Sequence, residues 1–194
     1  MSIAYIIFYT SIVVWLLPPI RQYKGKLFLY FLLLAIADPL SRFLSISFST
    51  NAYQVHSFIS FALILTVLVN KISKKNIALI LTGFILTLFI IITQNRNIII
   101  LYLIVLHLII LWNFLKETLI SFSKNNFLIL GWVVLILYEI SIVLKFLVYI
   151  EATQVSSIYF YLTSGFQILI AIFFTIYKVE DSPKIKLSVK DMGV

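Results

Sequence analysis

Cysteine is absent from the 194 residues. Its absence excludes disulfides, thiolate metal sites and palmitoylated cysteines, and leaves the redox compartment undetermined. Charge is scarce as well. Only 11% of the residues are charged and 62% are hydrophobic, whereas a soluble domain is about a quarter charged and about half apolar. A soluble fold of this length keeps too much surface in water to hide that many apolar side chains. The bilayer is therefore the expected solvent for most of the chain. A positively charged leader before the first apolar run is also missing, so a retained first helix is expected rather than a cleaved signal peptide. No Walker loop, GxGxxG, HExxH or EF-hand pattern occurs. Of the two histidines, His107 has no second histidine at metal-ligand spacing, and neither a metal nor a cofactor is expected.

What is present is apolar sequence in lengths that suit a membrane. About 20 apolar residues cross the roughly 30 Å hydrocarbon layer as a helix. Seven stretches approach that length: residues 3–18, 26–47, 52–70, 76–93, 97–115, 127–150 and 157–177. The expected fold class is an all-α polytopic membrane protein with seven transmembrane helices. Residues 1–177 would form the bundle and 178–194 a short basic tail, read as a solvated flank or as a docking peptide for a partner. The first and fourth stretches are the shortest, so six helices with one re-entrant segment remains an alternative.

The net charge of +8 resides mostly in loops and tail. Arg21, Lys24, Lys26, Lys71, Lys74, Lys75, Lys116, Lys124, Lys178, Lys184, Lys186 and Lys190 fall on one side of this topology, and only Arg96 on the other. Cytoplasmic loops carry such an excess, so the N-terminus is expected outside and the C-terminus in the cytoplasm. Trp15, Trp112 and Trp132 all fall towards the cytoplasmic interface, where amphipathic rings are enriched. No basic face separate from the loops points to nucleic acid. The expected location is multi-pass in the inner (plasma) membrane, and heavy use of Ile, Leu, Asn and Lys fits an AT-rich bacterial genome.

Four charged residues fall inside apolar stretches: Asp38, Arg42, Glu139 and Lys145. Each costs about 2.5–3.5 kcal/mol at mid-membrane and needs a partner or a watery cavity. Asp38 and Arg42 share a helix face, which permits an internal ion pair. Glu139 and Lys145, six apart, do not share one, so Glu139 is expected to find a partner on another helix. The two acids fall at similar depth and the two bases further out, so a neutral four-charge network is one expectation. Ser164 and Gln167 on the last helix and His56 and Ser60, four apart on the third, are expected to complete a ligand pocket. The alternative is a purely structural network that holds the helices in register. His107 is expected to be a singly packed or hydrogen-bonded residue.

In plan, the chain resembles the seven-helix input modules of bacterial sensor kinases. Small stand-alone relatives look similar over LYEISIVLKFLVY and YLTSGFQILIAIFF. The polar network, beside a tail too short for catalysis, gives the leading expectation: a receptor-like or accessory signalling protein that takes a small or lipidic ligand and acts on a cytoplasmic or membrane partner. A second resemblance, to the lysoplasmalogenase-like family, rests on Ala37-Asp38 and Gly131…Tyr138-Glu139, which occupy the places of that family's Gly-Asp and Gly…Ser-Asp. It implies a lipid hydrolase in which Asp38 and Glu139 activate water. A small-solute transporter is a third expectation, supported by Pro39 in the second stretch.

Overall fold

The computed structural model describes residues 3–68, 74–151 and 156–186. The described residues are all-α apart from one pair of three-residue strands. The elements are α1 (Ile3–Trp15), α2 (Leu17–Arg21), α3 (Phe28–Phe48), α4 (Ala52–Leu68), α5 (Lys74–Ile92), α6 (Arg96–Asn125), β1 (Phe127–Ile129), α7 (Leu130–Glu151), α8 (Ser156–Ile176) and β2 (Lys184–Lys186). Seven long helices thus cover the seven apolar stretches. α2 is an extra turn created by Pro18 and Pro19 at its start, because proline removes a helix donor and clashes with the preceding turn.

Local chemistry sets several helix ends. The Asn51 side chain accepts from Tyr53 N at 3.0 Å at the start of α4. Asn95 accepts from Asn97 N at 3.1 Å and Ile98 N at 3.3 Å at the start of α6. Each satisfies amides that have no partner within the helix. Ser49 and Asn126 end α3 and α6 in the left-handed conformation, where asparagine is tolerated. α6 runs ten residues past its expected end at Leu115. At 1.5 Å per residue its length is about 45 Å, roughly 15 Å more than the thickness of a hydrocarbon layer.

α1, α3, α4, α6, α7 and α8 enclose a common core, with α5 packed outside on α4 and α6. Gly83 permits this: a Cβ there would lie 2.7 Å from the Phe61 ring. α5 turns Leu81, Phe84, Ile85, Leu88 and Phe89 outwards, and large exposed apolar side chains also lie on the other helices. Phe28–Phe48, Arg96–Lys124 and Leu130–Ile150 are long and apolar enough to cross a membrane; Tyr5–Arg21, Ala52–Leu68, Ile80–Ile92 and Tyr161–Ile176 are shorter apolar helices. This is the make-up of a membrane protein.

At one end of the bundle the tail is fastened down. β2 pairs antiparallel with β1, with Leu128 opposite Ile185. Leu130 N donates to Pro183 O at 2.9 Å, and Gly131 N donates to Ser182 Oγ at 2.7 Å. A Cβ on Gly131 would come within 2.6 Å of Val179 O. The buried Gln22 side chain donates to Phe174 O (3.2 Å) and Tyr177 O (2.8 Å) and accepts from Val179 N (3.3 Å). Up to Lys186, then, the tail is docked structure rather than a solvated flank; residues 187–194 lie outside the described residues. The three tryptophans differ in their surroundings. Trp15 and Trp132 are buried against Tyr138 and Phe114, and Trp112 alone of the three is exposed. Ring stacking in a tight helical core captures the first two.

Candidate functional site

Two polar clusters lie between the helices, side by side. The first centres on Glu139 of α7, which is fully buried. One carboxylate oxygen, Oε1, accepts from the Tyr30 hydroxyl of α3. The other, Oε2, lies 2.7 Å from His107 Nδ1 of α6. The far ring nitrogen, His107 Nε2, lies 3.1 Å from Ser60 Oγ of α4. One proton arrangement satisfies every group. The Glu139 carboxyl accepts at both oxygens, the imidazole donates from Nδ1, and Nε2 accepts the Ser60 hydroxyl. Four helices thus each contribute one member to a continuous chain, Ser60–His107–Glu139–Tyr30. A buried carboxylate in apolar surroundings persists only when paired and hydrogen-bonded in this way.

The second cluster lies towards the end where α4 and α6 begin and α7 ends. Asp38 Oδ1 faces His56 Nε2 at 3.8 Å, and Lys145 lies within electrostatic reach of Asp38. These three side chains line a cavity of about 300 Å³ together with Ser60, His107, Ser164 and Gln167. Apolar groups from α1, α3 and α7, among them Phe8, Leu34 and Phe146, form its walls, and Trp15 also lines it. Gln167 Nε2 reaches Ser141 Oγ at 3.4 Å. Tyr53 and Tyr149 line the same cavity. Arg96 joins them, with Nη2 3.5 Å from both the Tyr53 hydroxyl and Tyr149 O, and its guanidinium lies 5.5 Å from the centre of the Tyr53 ring.

Of the residues expected at a site, Asp38, His56, Lys145, Ser164 and Gln167 all line this one cavity. Arg42 does not: it is exposed, and the permitted Asp38–Arg42 pair is not formed. The reason is geometric. Asp38 is drawn towards α4 and α7, while one turn further on, the Arg42 side chain lies on the bundle surface. Glu139 is also absent from the cavity lining. It belongs to the deeper chain and touches the cavity through His107 and Ser60. The single four-charge network is thereby replaced by two clusters. His107 and Ser60 were not expected together. The available signal was depth: His107 lies eleven residues into α6 and Glu139 nine into α7, both about 15 Å from their helix ends at the helical rise.

Among the described residues no group of three or more His, Asp or Glu side chains is arranged to hold a metal ion. No protein-family model, curated protein or solved structure matches this chain.

Proposed function

We propose that the chain is a multi-pass protein of a bacterial plasma membrane, and that its cavity binds a small single-chain amphiphile with a zwitterionic head. Seven helices would cross the bilayer, with the N-terminus outside, the C-terminus in the cytoplasm and the cavity in the outer half. The lysines described at the end that carries the docked tail, among them Lys24, Lys116, Lys124 and Lys178, support that orientation. The observation that carries the ligand reading is the convergence of Asp38, His56 and Lys145, from three helices, on one apolar-walled cavity. A carboxylate beside an aromatic ring suits a quaternary ammonium, and an ammonium suits a phosphate oxygen. About 300 Å³ is the volume of roughly ten liquid waters. That accommodates a head and the start of one chain, not a two-chain lipid.

Such a protein acts as a receptor or accessory component. Ligand binding between α3, α4 and α7 would bias the helix ends that carry the docked tail, and the tail would pass the change to a cytoplasmic or membrane partner. A hydrolase that uses Asp38 and Glu139 together is less favoured, because both oxygens of Glu139 are already occupied. The test is binding of a fluorescent lysophosphocholine to the full chain in nanodiscs. Asp38→Asn and Lys145→Met should each weaken binding by about tenfold, or 1.4 kcal/mol. Unchanged affinity in both variants would exclude the cavity as the site.

A further inference from the structure

The chain Ser60–His107–Glu139 has a directionality that a merely space-filling polar network does not require. The imidazole presents one nitrogen to a hydroxyl at 3.1 Å and the other to a carboxylate at 2.7 Å. A nucleophile within hydrogen-bond reach of a base, with the base oriented by a third group, is the arrangement that activates serine in acyl transfer. Both Ser60 and His107 line the cavity, whereas Glu139 and Tyr30 lie behind them. The hydroxyl thus lies where a ligand is held, and the carboxylate is shielded from it.

We propose that Ser60 is a nucleophile and His107 its general base, and that they cleave the carboxylic ester of a single-chain amphiphile held in the cavity. This rests on the ligand reading above. Ser60 Oγ forms a bond to the ester carbonyl carbon while its proton passes to His107 Nε2. The tetrahedral intermediate collapses, the bond to the alcohol oxygen breaks, and the leaving alcohol takes the proton from His107. Water then adds to the acyl carbon and gives a proton to His107. The bond to Ser60 breaks, Oγ recovers that proton, and the carboxylic acid leaves. The balance is ester plus water giving acid plus alcohol, with no oxidant or metal. The amides of α4 near Ser60 are spent on the helix ladder, so side chains must meet the developing oxyanion. Gln167, Lys145 and Ser164 are the donors that line the same cavity.

Glu139 and Tyr30 are positioning residues. Glu139 holds the His107 tautomer, and Tyr30 holds the carboxylate oxygen that His107 does not use. Glu139→Gln would let the ring flip to the unproductive tautomer, so kcat should fall with KM unchanged. A purely structural role would not produce that split.

The experiment uses the full chain in nanodiscs and two probes. A long-chain fluorophosphonate should modify Ser60, located by peptide mass spectrometry, and Ser60→Ala should abolish the adduct. Lysophosphocholine should release free fatty acid, and His107→Gln should lower that rate by about 10²–10⁴-fold. Ser60→Ala removes one hydroxyl and should fold as wild type, so its loss of adduct cannot be attributed to unfolding. If lysophosphocholine binds and is displaced by Lys145→Met, yet Ser60 takes no fluorophosphonate and no fatty acid appears, the nucleophile assignment is wrong and the binding reading stands. An adduct at Ser60 without cavity-dependent lysophosphocholine binding would uphold the nucleophile and overturn the choice of ligand.

Discussion

His107 is the residue on which most of the buried polar structure depends. Its removal strands a fully buried carboxylate on one side and a buried hydroxyl on the other. Each buried polar group left without its hydrogen-bond partner costs about 1–3 kcal/mol. His107→Ala should therefore lower the Tm in detergent much more than Ser60→Ala, which loses one hydrogen bond worth about 1 kcal/mol. Equal shifts in the two variants, read by thermal denaturation, would contradict the Glu139–His107 pairing. This network was only partly legible in the sequence. The cost of an intramembrane charge singled out Glu139 and its need for a partner on another helix. Ser60 is a legible pocket candidate beside His56, but Tyr30 and His107 are ordinary residues of apolar helices, and only the helix arrangement reveals that the four meet. Arg42 shows the converse. Its charge marked it for the network, but its side chain is exposed and does not reach the cavity.

At the scale of elements, the docked tail is the feature that composition conceals. Lys178–Lys186 reads as polar and solvated, yet Val179 and Ser182 are buried and β2 pairs with β1. The small Gly131 and the three-way hydrogen bonding of Gln22 make room for it and fasten it. Gly131→Val should push the strand pair off α7, because its side chain would overlap Val179. Limited trypsin digestion should then cut at Lys184 and Lys186 several times faster than in wild type; an unchanged rate would refute the docking. Gln22→Leu leaves one buried carbonyl, one part-buried carbonyl and one buried amide without this partner. It should cost about 1–3 kcal/mol and expose the same sites. The helices themselves were legible, because apolar runs bounded by loops such as Ser49–Asn51 and Gln94–Asn95 leave little freedom. The lengths of α6 and of the tail strand were not, since they depend on contacts beyond the hydrocarbon-length runs.

For the whole molecule, the lack of cysteine becomes useful. Single cysteines can be added without background, so each side of the membrane can be probed on intact cells. Asn97→Cys at the start of α6 should react with a membrane-impermeant thiol reagent from outside, and Lys184→Cys only after permeabilisation. The reverse pattern would invert the proposed topology. The most direct test of an outward-opening ligand cavity places the thiol inside it, as Ser164→Cys. Ser164 is buried in the bundle and lines the cavity, and cysteine nearly preserves its shape. The thiol should react with the impermeant reagent added outside, and lysophosphocholine should slow that reaction. Modification only after permeabilisation, or a rate from outside that lysophosphocholine leaves unchanged, would contradict the proposal.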